Sequence, residues 1–306
     1  MWKVYALLAA VTVIAGLTPT AAKMATDEFP PLTIPVVRFG SAGILLLLTG
    51  RLLGPRRGVA RSQWSLLILI GVLCVPVNQI GYLYGAKKAS ATHAGIAYAL
   101  VPVLVFWISL FMRRAELSVR LGVASLLAFV GAAVIVLSTG RITAGAAGAS
   151  ADFAVGDVLL LSAALSWSLF AVLSQPLVRA LGAVRTLSLV FLIGTAWQIP
   201  LAAADWLWFE LSTFEVSQVT WRGVAGFAFI TLVTAYLNYL LWYVVTARYD
   251  ITRSSVITNA HFLVTVLIEA FFFGQVLSWW VVVGSVVLLA GIVLVSSRKG
   301  LIDDGG

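Results

Sequence analysis

Apolar stretches of about 20 residues recur along the whole chain, broken by short clusters of charge, Gly, Pro or Ser. A helix needs about 20 apolar residues to cross a hydrocarbon core of roughly 30 Å. Ten stretches meet or approach that length: 4–23, 32–52, 64–86, 91–112, 118–138, 155–178, 184–204, 219–246, 254–273 and 279–297. They predict an all-α integral membrane protein of ten transmembrane helices with short connections. The first stretch follows Lys3 and precedes Thr20-Ala21-Ala22, which also suits a signal peptide. It is long for one and nine more follow, so we read it as a retained helix.

Composition agrees with this reading. Of the 306 residues, 61% are hydrophobic and 10% charged, and mean hydropathy is +1.04. A soluble domain is about half apolar and a quarter charged, so a soluble fold and a disordered chain are both excluded. One Cys and two His rule out a disulfide framework or a cysteine-rich metal centre. No metal, cofactor or catalytic residue is expected. A net charge of +8 suggests nucleic acid in a soluble protein, but here the positive-inside rule explains it. With a cytoplasmic N-terminus, Lys23, Lys87, Lys88, Arg141 and Arg222 fall outside, and Arg38 lies within a span. The other fourteen Lys and Arg lie inside. Both termini are therefore expected in the cytoplasm. Trp206, Trp208, Trp221, Trp279 and Trp280 suit interfacial belts.

The stretch from Gly140 to Gly156, rich in Gly, Ala and Ser, divides the chain near its middle. It lacks the Gly-Lys-Ser/Thr pattern of a phosphate loop. We expect a first five-helix repeat over 1–140, a linker over 141–154 and a second repeat over 155–306. A shift of about 160 residues aligns Asn78 with Asn238, Tyr82 with Trp242 and Gly131 with Gly291. Five spans per half is odd, so the second half crosses the membrane inverted. Inverted repeats characterise secondary transporters that bind solute near the midplane.

The first half resembles the drug/metabolite transporter superfamily, specifically its EamA-type members. The matching stretches are Gly16 to Lys23, Pro30-Pro31-Leu32 with Arg38-Phe39, Gly85-Ala86, Ala91-Thr92-His93-Ala94, Ala99 to Val103 and Glu116-Leu117. Thr246 to Arg253 and Phe273-Gly274-Gln275 match in the second half. Three positions depart from the family pattern: Ala15-Gly16 replaces Trp-Gly, Phe262 stands where a Pro is expected, and Gly274-Gln275 replaces Gly-Glu. The second departure predicts the loss of a kink, because Pro deletes a backbone hydrogen bond and Phe does not. The resemblance implies two inverted five-helix bundles around a central cavity and transport of a small solute. It also implies a bacterial inner membrane location.

Depth at 1.5 Å per residue puts Asn78, nine residues before Lys87, about 13 Å below one surface. Asn238 lies about 15 Å from the other. Tyr98 and His261 reach similar depth. Gln79, Tyr239 and Asn259 neighbour them along the chain. Polar groups in hydrocarbon must face protein or water. Asn78, Gln79, Tyr82, Tyr98, Trp167, Asn238, Tyr239, Trp242, Asn259 and His261 are therefore the candidate solute-binding residues. Tyr84 is a further candidate for the cavity wall. For the amides the alternative is interhelical hydrogen bonding; for the aromatics it is packing or lipid contact.

His261, Glu269 and Arg38 are the candidates for coupling, with protons as the candidate ion. Each has an alternative role: a satisfied histidine, a Glu snorkelling to the headgroups, or an Arg paired with an acid or capping a helix end. The expected function is outward transport of small organic metabolites such as amino acids. Organic-cation efflux is the alternative, and a non-transporting receptor or scaffold the alternative from another class. The expected partners are a small-molecule solute and the bilayer. Ala91, Gly95 and Ala99 recur every four positions and suit either bundle packing or a homodimer.

Overall fold

The computed structural model describes residues 2–52, 58–89, 91–113, 117–139, 151–209, 214–273 and 278–295. Among these residues it is helical, without strands. Nine helices are long and apolar enough to cross a membrane. They are α1 (Trp2–Thr26), α2 (Thr33–Leu52), α3 (Arg61–Ala86), α4 (His93–Phe111), α5 (Val119–Ser138), α6 (Ala154–Leu181), α7 (Ala183–Leu207), α8 (Trp221–Thr246) and α9 (Ile251–Ile268). A shorter apolar helix, α10 (Trp279–Val295), follows. Each coincides with one of the expected stretches. Residues 141–150 of the expected linker fall outside the described residues, as do Glu116 and Gly274-Gln275, while 151–154 already belong to the helix Ala151–Leu181.

Exposed apolar side chains are what a lipid-facing surface requires. Phe111, Leu207, Val286 and Val293 are all largely exposed along their helices. Trp206, Trp221, Trp279 and Trp280 are exposed at span ends, as interfacial belts demand. The side chain of Trp208 lies outside the described ones. Local chemistry fixes the ends. Thr220 accepts from Arg222 N at 3.2 Å to cap α8, and Asp250 accepts from Arg253 N at 2.8 Å to cap α9. Gly182, at φ +83°, turns the chain between α6 and α7, a conformation that suits a residue without Cβ.

Helices cross where glycines let backbones meet. A Cβ on Gly131 would strike the Leu288 backbone, and one on Gly284 would sit 2.7 Å from Gly131 O. One on Gly291 would sit 2.9 Å from Ala124 O. The α5–α10 seam is thus built from small residues, as membrane bundles favour. Gly95 meets Val136 of α5 in the same way, at 2.8 Å, so this part of the small-residue stripe packs within the bundle. Helix α1 lies against α8 and α9, whereas α6 lies against α3 and α4. Each thus packs on spans from the other end of the sequence.

Two irregularities recur about 160 residues apart. Helix α3 contains a wide π turn at Leu73–Val77, and α8 contains one at Phe229–Asn238. Helix α4 breaks at Leu100, between Ala91–Ala99 and Val101–Phe111, with Pro102 opening the second piece. Helix α9 breaks at Asn259 and Ala260, between Ile251–Thr258 and His261–Phe273. The kink that Phe262 seemed to remove is therefore present. Asn259 Nδ2 holds it by donating to Ala128 O at 3.1 Å and Ala99 O at 3.4 Å.

The largest core cluster lies toward the N-terminal end of the bundle, around Leu8, Leu46, Leu67, Leu181, Val245 and Tyr249. Toward the opposite end only small clusters form, such as Ala21, Ala25, Ile34 and Ile230.

Candidate functional site

The two π turns organise the middle of the bundle. A wide turn disturbs the regular helical hydrogen-bond ladder, and a side chain from another span occupies a carbonyl in each. Ser166 Oγ of α6 donates to Leu73 O at 2.7 Å. Arg38 Nε of α2 donates to Ile230 O at 3.0 Å. Pro76 lies inside the first turn, where its missing N–H makes the interruption inevitable.

Around the first turn the polar groups are used up. Asn78 Nδ2 donates to Tyr98 Oη at 2.7 Å and to Ala163 O at 2.9 Å, while its Oδ1 accepts from Gln79 Nε2 at 2.8 Å. Asn78 therefore joins α3 to α4 and α6, with Gln79 bonded to its amide oxygen. Around the second turn Thr234 Oγ1 meets Thr18 Oγ1 at 3.0 Å and Tyr236 Oη meets Thr49 Oγ1 at 2.9 Å, but other polar groups stand open. Asn238 Oδ1 and Trp242 Nε1 are buried with no hydrogen-bond partner. The guanidinium of Arg38 lies 4.9 Å above the Phe39 ring. Its Nε–H reaches Ile230 O, and no carboxylate among the described residues meets it.

Arg38, Tyr82, Tyr98 and His261 are enclosed by protein, yet each keeps accessible surface. Arg38 lies within electrostatic reach of the Tyr82, Tyr98 and Tyr239 hydroxyls and of Cys74. Tyr82 and Tyr98 meet edge to face at 5.3 Å. Tyr239 packs against Trp167 at 5.3 Å, Phe191 at 5.1 Å and Phe39 at 6.0 Å. Tyr82 and Tyr98 pack in one apolar cluster and Tyr239 and Trp167 in another, and Arg38 lies within electrostatic reach of tyrosines from both.

The remaining candidates separate from these groups. Asn259 is spent on the α9 break. His261 Nδ1 lies 2.9 Å from Thr258 O, and its ring stacks on Phe262 at 4.1 Å. Tyr84 is a half-exposed residue near Asp205, with Oη 3.4 Å from Oδ1. The Glu269 side chain lies outside the described ones. Two contacts at the far end of the bundle escaped the sequence reading. His93 Nδ1 lies 2.6 Å from Asp157 Oδ1. Glu28 accepts from Thr220 N at 2.7 Å and Thr220 Oγ1 at 2.6 Å, which holds its carboxyl below the usual carboxylate range.

The sequence model of the EamA-like transporter family matches residues 2–137 and 154–297, nearly the whole chain. The chain belongs to the EamA-like transporter family. It is thereby a member of the drug/metabolite transporter superfamily and a multi-pass membrane transporter of that kind. This EamA-like transporter is 24% identical over 242 residues to the uncharacterized transporter YetK of Bacillus subtilis, covering 78% of this chain and 70% of the relative. It is also similar to a protein of known crystal structure, with a TM-score of 0.77 at 18% identity over 97% of each chain. That likeness concerns the fold alone. Among the described residues no cluster of His, Cys, Asp or Glu could hold a metal ion.

Proposed function

We propose that this protein is a secondary transporter that exports small organic metabolites, such as amino acids, by alternating access around a mid-span cavity. The observation that carries this is the enclosed but accessible set of Arg38, Tyr82 and Tyr98 beside two interrupted helices. Interrupted helices at mid-membrane are the usual setting of a transported solute.

The ten-helix arrangement as two inverted repeats, over 1–140 and 155–306, belongs to the same proposal. It is supported by the two separate stretches matching the family. Irregularities recurring at the shared offset support it too. So does the exchange of contacts at the α5–α10 seam, where Gly131 faces 284 and 288 while Gly291 faces 124 and 128. We further propose a bacterial inner membrane location with cytoplasmic termini, from the Lys and Arg distribution. Organic cations are the less favoured solutes, because the charge at the centre is positive.

The test is initial-rate flux of labelled amino acids and organic cations in proteoliposomes, with and without an imposed pH gradient. Saturable flux supports transport, and a response to the gradient adds proton coupling. Its absence across the panel, from folded protein, contradicts transport.

A further inference from the structure

We propose that Arg38 is the anchor for one carboxylate group, so that the solute is an organic monoanion or a zwitterion recognised through its acid. The proposal rests on the transport reading above and names the chemistry of its solute.

An ionised guanidinium inside a membrane span is costly unless it is compensated, and such groups mark solute or ion pathways. Arg38 is compensated only in part, by the Ile230 carbonyl and the Phe39 face, and by no carboxylate among the described residues. Their acidic side chains, Asp27, Glu28, Asp157, Asp205, Glu215 and Asp250, all stand at the ends of spans. Its protein contacts are Nε–H to Ile230 O and the Phe39 face. Among the described residues no hydrogen bond engages either Nη group, and the side chain is only partly covered. Bonding through Nε fixes the plane of the fork. Two parallel N–H groups then match the two oxygens of a carboxylate.

The walls narrow the class. The hydroxyls of Tyr82, Tyr98 and Tyr239 lie within electrostatic reach of the cation, and hydroxyls can donate to a carboxylate. No second Lys or Arg is among the groups that act on Arg38. One cation balances one negative charge, which favours a carboxylate over a dianionic phosphate. The aromatic faces of Tyr82, Tyr98 and Trp167 suit an apolar or aromatic body attached to that acid. Nothing beside the guanidinium requires an amine on the solute.

The experiment measures equilibrium binding to the purified full chain in detergent, with flux in proteoliposomes as a second arm. The probes are phenylalanine, 3-phenylpropanoate, leucine, phenylalaninamide and phenethylamine. We expect both aromatic acids to bind about tenfold or more tightly than the amide and the amine. Arg38→Gln should weaken carboxylate binding by at least about thirtyfold while leaving the weak amide binding unchanged. A purely structural role at Ile230 O would move all probes together. Arg38→Lys, which keeps the charge without the fork, should fall between. If Arg38→Gln does not fold, acid-against-amide selectivity in the wild type and in Arg38→Lys still decides.

Equal binding of acid and amide overturns the proposal. So does undiminished acid binding by folded Arg38→Gln, or binding of none of the acids. Binding that depends on Arg38 but is unaccompanied by flux supports the anchor and overturns transport. Flux of phenethylamine undisturbed by acids overturns the anchor and leaves transport standing.

Discussion

The two wide turns, Leu73–Val77 in α3 and Phe229–Asn238 in α8, have the same kind of backbone and opposite polar accounting. Each is followed or closed by an Asn at a position 160 residues from the other. Asn78 spends both ends of its amide on Tyr98, Ala163 and Gln79. Asn238 leaves a buried oxygen without a partner, one turn from the equally unpartnered Trp242 Nε1. The first turn is therefore a structural joint. The second, with Arg38 on one of its carbonyls, is where unsatisfied polar groups gather.

The largest effects should come where the halves meet. Gly131→Val and Gly291→Val force a side chain into the opposing backbone of the α5–α10 seam. Each should cost about 3 kcal/mol or more, read as loss of thermal stability in detergent. Tolerance of one but not the other would show that the seam is not shared equally.

Next comes the contrast between the asparagines. Asn78→Ala removes three hydrogen bonds and should cost about 1–3 kcal/mol. Asn238→Ala removes an acceptor with no partner and should change stability by less than about 0.5 kcal/mol. Similar losses for both would erase the distinction between joint and site.

Smaller still, Ser166→Ala frees Leu73 O and should cost about 0.5–1.5 kcal/mol, with solute binding retained. Loss of binding without loss of stability would move the first turn into the site.

The smallest effect should be at the surface. The lowered carboxyl of Glu28 contributes stability that is fully present above about pH 4.5, its ordinary value, and is lost as pH falls through the lowered one. Glu28→Gln should flatten that acid dependence in thermal unfolding. An unchanged acid limb would mean that the Thr220 contact contributes nothing.

Much of the fold was legible because the bilayer imposes it. Lengths of apolar sequence alone located the helices, and the break of α4 lies beside Pro102. The break of α9 was not legible. It depends on Asn259 reaching Ala99 O and Ala128 O, contacts made only once three spans are packed. The site was legible in part. Depth along a helix brought Tyr98 forward, and aromatic character brought Tyr82, Trp167 and Tyr239; the structure pairs Tyr82 with Tyr98 and Trp167 with Tyr239. Depth could not separate a spent amide from an open one, because Asn78 and Asn238 have the same chemistry and similar depth. For Arg38 the sequence leaves coupling, pairing with an acid and helix capping open. The structure gives it a carbonyl for its Nε and no described acid for its Nη groups, a distribution that spacing along the chain does not encode.

Counterflow in proteoliposomes tests the central claim most directly. Vesicles preloaded with unlabelled phenylalanine are diluted into a trace of labelled phenylalanine, with wild type and folded Arg38→Gln reconstituted at equal density. The account predicts transient, saturable accumulation by the wild type and at least about a thirtyfold loss in the variant. Accumulation equal in the two would contradict the site, and none in either, from protein shown to be folded, would contradict transport of such a solute.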